Sequence, residues 1–592
     1  MKKQKIQQDS SIYGICARVA LALVVVAAPL AWTRAVYSIY TLPKLLLLAV
    51  GLVLAWTAVL GSGDRRGSAG PVIERSLAVL WLVILISTVG SVDLYTSLFG
   101  RYNDYAYGHL AMGLYTVAFL WGAGMSKEER RRFGLWAVVG AGLVGLFALT
   151  QKTGFRPLLQ FSLPGGRAVS TIGSPVHLGA YLAAAIAIAI PLKQQSHRGL
   201  RWLCAVLILG GLAVSISRGA WIAGLVGVGI VLSPAIAARL PNRFRIWWFP
   251  VIVGLSLAAA VSFASRLRPV AGSDFLRTEA WRASVSMIRE RPLFGFGPDT
   301  FGVEFRKRKS VDFVRIGGSG LRHEHAHNDL MQAATTTGVV GLLAYLALLL
   351  ALLWEFKRRF NAGEEFARTE ALRFAGAVAA VFIAAKFNPM STEVLVLASM
   401  AAGACLASLQ PESKGGVQSG ALQAGGAWIF SIAIACGSLW LCVGDHFSQK
   451  GRLLAGVDAV NAHRRANAVN ACETQFTRRY VNLLLDLARE NRTLPVRFEY
   501  LDAARDSTAR TAGCRTGSFE AHYISGFVAL LESQLGRPDR ISVAQRELDA
   551  AIVLDPTHAA VLNARATVAR TAGKPARAAE FSARAANLMR RN

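Results

Sequence analysis

The stretch His323-Glu324-His325-Ala326-His327-Asn328-Asp329 closes a polar loop, 266–329, and runs straight into an apolar segment, 330–354, of bilayer length. Three imidazoles and two carboxylates at the edge of hydrocarbon are costly to keep there without a use. The junction therefore marks both a membrane segment and a candidate site. Upstream, the same loop carries Arg277, Trp281, Arg282 and Pro292-Leu293-Phe294-Gly295-Phe296-Gly297-Pro298. Arginines and imidazoles pinned between membrane helices suit chemistry on an anionic, lipid-linked substrate.

Outward from this junction, apolar runs of similar length recur near 12–32, 43–60, 76–92, 107–124, 134–150, 175–192, 200–215, 218–235 and 247–265. After the loop, further runs follow near 330–354, 371–388, 392–409 and 426–443. With 53% hydrophobic and 17% charged residues, the chain is an integral membrane protein with a polar appendage. The fold class is all-α: a polytopic bundle of about 12–13 transmembrane helices. About nine occupy 1–265 and about four occupy 330–443, flanking the catalytic loop 266–329, with a helical unit over 444–592. No clear small-residue cleavage site follows the first run, so it reads as a retained helix rather than a signal peptide.

A net charge of +29 raises the question of nucleic acid. Most of the excess sits in short clusters between apolar runs, such as Lys127/Arg130/Arg131/Arg132 and Lys357/Arg358/Arg359. The positive-inside rule accounts for those, and nucleic acid is not an expected partner. The opposite connections hold scattered cations only, among them Arg34, Lys44, Arg101 and Lys386. This alternation puts the 266–329 loop and the tail outside the cytoplasm. The loop's own cations then call for an anion, although Arg306, Lys307, Arg308 and Lys309 also fit contact with anionic headgroups.

Five cysteines (Cys16, Cys204, Cys405, Cys436, Cys442) fall in or beside apolar runs and read as small core residues. Cys472 and Cys514, in the tail, pair only if the tail is extracytoplasmic. A Gly/Ser-rich linker covers 411–425. The tail is Ala-rich and amphipathic, broken by Gly-Arg-Pro at 536–538, Asp555-Pro556 and Gly-Lys-Pro at 573–575. This resembles degenerate tetratricopeptide repeats and equally fits a generic helical cap; either aids partner or acceptor binding without chemistry. Truncation after about Asp445 is expected to leave some activity.

Other motifs have bland readings beside functional ones. Ser217-Arg218-Gly219-Ala220-Trp221 is a tight turn between spans, where Arg218 is either a snorkelling anchor or a ligand. Gly165-Gly166-Arg167 leads to Gly173-Ser174-Pro175-Val176-His177, an ordinary helix entry. Arg277 and Trp281, at i and i+4, share a helical face. His323-Glu324-His325-Ala326-His327 also fits the zinc-protease pattern H-E-x-x-H. That pattern needs a helix, yet Gly317-Gly318-Ser319-Gly320 precedes it and a capping box, Asp329-x-x-Gln332, is expected after it. The cluster is therefore expected in a loop.

Taken together, Ser217–Trp221, Arg277–Phe301 and His325-Ala326-His327-Asn328-Asp329-Leu330-Met331-Gln332 resemble the O-antigen ligase/polymerase superfamily. Gly173–His177 lacks the asparagines of the corresponding family stretch. The resemblance implies a GT-C-like glycosyltransferase of the bacterial inner membrane, with its active site and tail periplasmic. It implies transfer of a glycan from a polyprenyl (undecaprenyl) diphosphate to an acceptor hydroxyl on a lipid, a glycan or a protein, with no cofactor and no metal. It further implies that Arg218 and Arg277 hold the diphosphate and that His327 is the base. His325, Asn328, Trp281, Arg167, His323 and Glu324 would support them. Ligase, polymerase and protein O-oligosaccharyltransferase stay open, as does a lipid-glycan transporter outside the family.

Overall fold

The computed structural model describes residues 12–62, 67–153, 166–190, 197–239, 241, 273–410, 421–491 and 493–589. The basic N-terminus 1–11, the expected span at 247–265, the opening of the polar loop at 266–272 and the linker at 411–420 lie outside them. Every regular element among the described residues is a helix. Eight are long and apolar enough to cross a membrane: α1 (Ile12–Leu30), α2 (Thr41–Ser62), α3 (Pro71–Val89), α6 (Lys127–Thr150), α8 (Arg198–Val214), α9 (Arg218–Arg239), α14 (Gly338–Ala362) and α17 (Ala421–Leu453). Shorter apolar helices are α5 (His109–Ala123), α7 (Pro175–Ala189) and α16 (Thr392–Ser408), while α15 (Glu365–Ala385) carries Arg368, Glu370 and Arg373. The chain is thus an all-α, multi-pass membrane protein.

Local chemistry sets the helix ends. Ser126 and Glu129 close a reciprocal capping box at the start of α6, with Glu129 accepting from the Ser126 amide at 2.8 Å. Within the bundle, small residues let backbones approach, the geometry that lipid-embedded helices favour. A Cβ on Gly376 of α15 would lie 2.5 Å from the Gly227 carbonyl of α9.

The apolar segment 330–354 is not one helix, contrary to expectation. A short helix, α13 (Asp329–Thr336), is followed by a break at Thr337-Gly338, where Gly338 has φ +72°. The cause is the Pro292–Pro298 segment, which threads against the break. Val339 N donates to the Pro292 carbonyl at 2.7 Å and Gly297 N to the Thr336 carbonyl at 2.8 Å. A Cβ on Gly338 would sit 2.1 Å from the Leu293 oxygen, so only glycine fits. The α13 cap also lies one residue earlier than the capping-box pattern predicts. Asn328 Oδ1 accepts from Leu330 N and Met331 N at 3.0 and 3.1 Å, which leaves Asp329 to an ion pair and Gln332 to the site loop.

The loop holds α10 (Ser273–Glu290), α11 (Phe301–Arg308) and α12 (Val311–Gly317). Helix α17 has 33 residues, about 50 Å at 1.5 Å per residue, well beyond a hydrocarbon core of about 30 Å. Its far end carries seven more helices: α18 (Gly456–Val469), α19 (Thr474–Glu490), α20 (Leu494–Cys514), α21 (Phe519–Gln534), α22 (Ile541–Leu554), α23 (Ala559–Thr571) and α24 (Pro575–Met589), each packed on its neighbour. A Cys472–Cys514 disulfide ties the α18–α19 turn to the end of α20.

The tail is not a separate appendage. Phe301, Phe305, Phe313 and Val314 of the loop share one buried apolar core with Ala559, Leu562, Ala585 and Leu588 of the tail. Lys309 pairs with Asp555 at 2.9 Å, both buried, and Arg306 and Arg322 share Glu520.

Candidate functional site

The imidazole stretch is a loop, as its glycines predict, and α10 holds it from one side. Trp281 Nε1 donates to the Ala326 carbonyl at 3.1 Å, while Gln332 Oε1 accepts from Ala326 N at 2.9 Å. Ala326 is fully buried, so the imidazoles on either side of it are fixed.

Hydrogen bonding then sets the tautomers in sequence, because a carbonyl can only accept. His323 Nε2 donates to the Leu276 carbonyl at 2.6 Å. Its Nδ1 must therefore accept, and it does so from His327 Nε2 at 3.2 Å. His327 Nδ1 is left as a buried lone pair with no geometric hydrogen bond and with the Asn388 side chain beside the ring. Burial, with the nearby His323, His325 and Arg277, pushes His327 down to about 3. Burial lowers His323 as well, so both rings are neutral near pH 7.

His325 is held differently. Its Nε2 donates to Asp104 Oδ2 at 2.6 Å, and Arg101 reaches the same oxygen at 2.8 Å. Against its burial, Arg101 and His325 keep Asp104 well below the usual carboxylate range. Asp299 Oδ2 accepts from Arg101 N at 2.7 Å. Burial pushes Asp299 up to about 7, helped by the Asp104 charge and opposed by His325 and Arg101. Glu324 turns away from the histidines: it meets Arg322 Nε at 2.5 Å and Arg101 Nε at 3.5 Å. The H-E-x-x-H spacing is therefore not laid out with its glutamate between two histidines on a helix.

Arg277 sits close enough to His323 and His327 to lower both. Arg167 and Arg218 form a second group at the α8–α9 turn. Arg167 Nε donates to the Ser215 carbonyl at 3.1 Å, and its pKa is lowered by burial and by the Arg218 charge. The loop joining α15 to α16 links the two groups. Its Phe387 is packed under Gly219, its Asn388 lies beside His327, and its Lys386 ammonium binds Asp329 at 2.6 Å while the Lys386 carbonyl accepts from Asn328 Nδ2 at 3.3 Å.

Backbone strain gathers at this end of the bundle. Of seven non-glycine residues with positive φ among those described, Asn103, Tyr105, Ser170, Ile216, Asp299 and His327 lie there. Ile216, β-branched at φ +48°, is a conformation that persists only when its surroundings impose it.

His325, His327, Asn328 and Asn388 form part of the polar lining of an otherwise apolar groove of about 400 Å³ between α3, α5, α14, α15 and α16. Arg167, Arg218 and Arg277 do not line it. Sequence reasoning missed Asp104, Asp299 and Asn388; Arg101 and Lys386 were visible only as stray cations at span ends. Asp104 follows Arg101-Tyr102-Asn103 and Asn388 precedes Pro389, polar signals that look like ordinary turns until the fold brings them to the imidazoles.

If His327 acts as a base, its low pKa keeps it in the active form at any pH above about 4. In kcat/KM, which reports the free enzyme, the expected result is no loss of transfer centred on 6.5 as pH falls from 8 to 5. A loss centred there that persists in Asp299→Asn would show an imidazole in an ordinary environment instead.

Comparison with known proteins bears on the same segment. Residues 203–346 match the O-antigen ligase family model, a stretch that includes Arg218, Arg277, Trp281 and the imidazole loop. An uncharacterized protein of Haemophilus influenzae is 26% identical over 187 residues, 28% of this chain and 46% of that protein. The chain thus spans about half the length of that relative. Residues 203–346 of this multi-pass membrane chain, with the imidazole loop towards their end, are thus similar to the O-antigen ligase family.

Proposed function

We propose that the protein is an inner-membrane glycosyltransferase that moves a glycan from a polyprenyl diphosphate to an acceptor hydroxyl on the extracytoplasmic face, as a ligase. The observation that carries this reading is the buried His327 Nδ1 lone pair on a ring that lines the apolar groove. The groove takes the polyprenyl chain. His327 Nδ1 takes the acceptor proton, the acceptor oxygen bonds to the anomeric carbon, and the C–O bond to diphosphate breaks with its electron pair going to the diphosphate. Arg218 and Arg277 meet the charge that develops on the leaving group, which guanidinium groups match in a bidentate manner. Neither a metal nor a cofactor is assigned a step.

The basic-loop alternation supports the orientation, and so does the Cys472–Cys514 bridge, which forms in oxidising compartments. A second reading has its own observation: Asp104 at 2.6 Å orients His325, leaving His325 Nδ1 buried and unpartnered, so His325 is the alternative base.

Lysine at Arg218 or Arg277 keeps charge but loses the planar fork. Donor turnover is expected to fall more than about tenfold, one hydrogen bond to a charged group corresponding to about 1.5–3 kcal/mol. Turnover kept intact would reassign that arginine as an anchor. The test of the function as a whole is mass spectrometry of a cell-free reaction with lipid-linked donor. Glycan gained by lipopolysaccharide core supports ligase, by the growing chain polymerase, and by protein an oligosaccharyltransferase. No glycan gained by any acceptor would refute the proposal.

A further inference from the structure

A second cavity, of about 260 Å³, plays no part in that proton transfer. Its walls come from four regions distant in sequence: the α1–α2 connection, α4 (Leu94–Phe99) with its link to α5, the site loop and the tail. We infer that it is a saccharide subsite holding one sugar ring, built jointly by the imidazole loop and the tail. This rests on the glycan-transfer reading above.

The lining argues against an ionic ligand. Five arginines (101, 306, 322, 479 and 515) face five acidic residues (Asp93, Asp299, Glu324, Glu473 and Glu520). An anion would meet carboxylates and a cation would meet guanidinium groups. A sugar hydroxyl both donates and accepts, so a polyhydroxylated ring can bridge the two kinds of group. Four lining groups have buried atoms without a hydrogen bond: Arg101 Nε and Glu324 Oε2, which face one another at 3.5 Å, and Asp299 Oδ1 and Arg515 Nε, on a residue 2% exposed and a side chain 9% exposed. Buried polar atoms without partners are rare in native proteins and call for an explanation. A bound hydroxyl supplies one. Tyr37 and Tyr102, with ring centroids 6.0 Å apart, line the same cavity and hold the Arg479 guanidinium over their rings, 3.9 Å from the Tyr37 centroid. The volume is just under the range of about 300–1,000 Å³ for drug-sized ligands, enough for about one ring.

Position supplies the rest. Asp299 lines this cavity and also the apolar groove. Arg101 lines the cavity and holds Asp104, which holds His325. A lipid chain in the groove and a sugar in the cavity would thus meet at the imidazoles. The disulfide places the remaining wall, since Glu473 follows Cys472 and Arg515 follows Cys514.

The shared ligand chemistry is a sugar ring, and its source is either the donor glycan or the acceptor. The test measures binding by the full-length protein in nanodiscs, using titration calorimetry. One probe is the oligosaccharide freed from the lipid-linked donor by mild acid; the other is deacylated lipopolysaccharide core. Glu473→Gln keeps the acceptor for the Gln475 amide, now at 3.1 Å, and puts a neutral amide in place of a carboxyl that burial pushes up to about 7. Gln475→Trp fills the cavity from a partly exposed position without deleting a side-chain bond. Each variant is expected to weaken binding about tenfold or more. A positive donor probe assigns the donor glycan, and a positive core probe assigns the acceptor. If neither probe binds the wild type, or both variants bind as it does with unchanged melting midpoints, the inference is overturned. Such a failure beside normal transfer leaves the proposed function standing. Binding lost in the variants of a protein that transfers nothing would leave the subsite and remove the function.

Discussion

Replacing His327 by alanine is expected to lower glycan transfer by about 10²–10⁴-fold, the usual cost of losing a general base, while the protein still inserts and binds donor. The argument is geometric. The Leu276 carbonyl dictates the tautomer of His323, which dictates that of His327. The outcome is one unprotonated nitrogen, buried on a ring that lines the groove. His323→Ala should be milder, because it removes the ring that sets the tautomer and leaves the base. Glu324→Ala should be milder too, because Glu324 pairs with Arg322 and Arg101 rather than facing His327. Chelators should leave the rate unchanged. A zinc protease predicts the reverse pattern: Glu324 indispensable, chelation inactivating and metal bound near one per chain. An inactive His325→Ala beside an active His327→Ala would move the base to the ring held by Asp104.

Deleting the tail, residues 454–592, is expected to abolish transfer although the bundle still inserts. From sequence alone the tail reads as an accessory whose removal leaves some activity; the shared core changes that expectation. Leu562 and Leu588 are buried against Phe301, Phe305 and Phe313 of the site loop, and burying such a side chain contributes about 1.5–3 kcal/mol each. Exposing several at once costs as much as the about 5–15 kcal/mol by which a domain is stable. The deletion also leaves Lys309 without Asp555 and Arg306 and Arg322 without Glu520, and a buried charge stripped of its partner is strongly destabilising. The loop then loses the shape that places Trp281 and Leu276 against the imidazoles. Limited proteolysis of the truncated protein should cut the loop within 273–329 first. Transfer above a tenth of the full-length rate, with the loop resistant to protease, would show that the loop folds alone.

The sequence by itself determined the membrane class, most helix positions, the imidazole loop and the likeness of residues 203–346 to the O-antigen ligase family. These rest on local properties: hydrophobic length, glycine before a histidine cluster, and motif order. It also marked His323, His325 and His327 as a group, since five residues of chain keep them close whatever the fold. Tertiary structure alone decided what each ring bonds. His325 found Asp104 across 221 positions and His323 found the Leu276 carbonyl across 47, and no local pattern encodes pairings at such distances. The break at Gly338 belongs to the same category: 330–354 reads as one apolar helix until the Pro292–Pro298 backbone supplies competing hydrogen bonds. So does the union of loop and tail. Each has an amphipathic pattern that only says some face is buried, and the partner of that face is chosen by where a 33-residue helix, α17, delivers the tail.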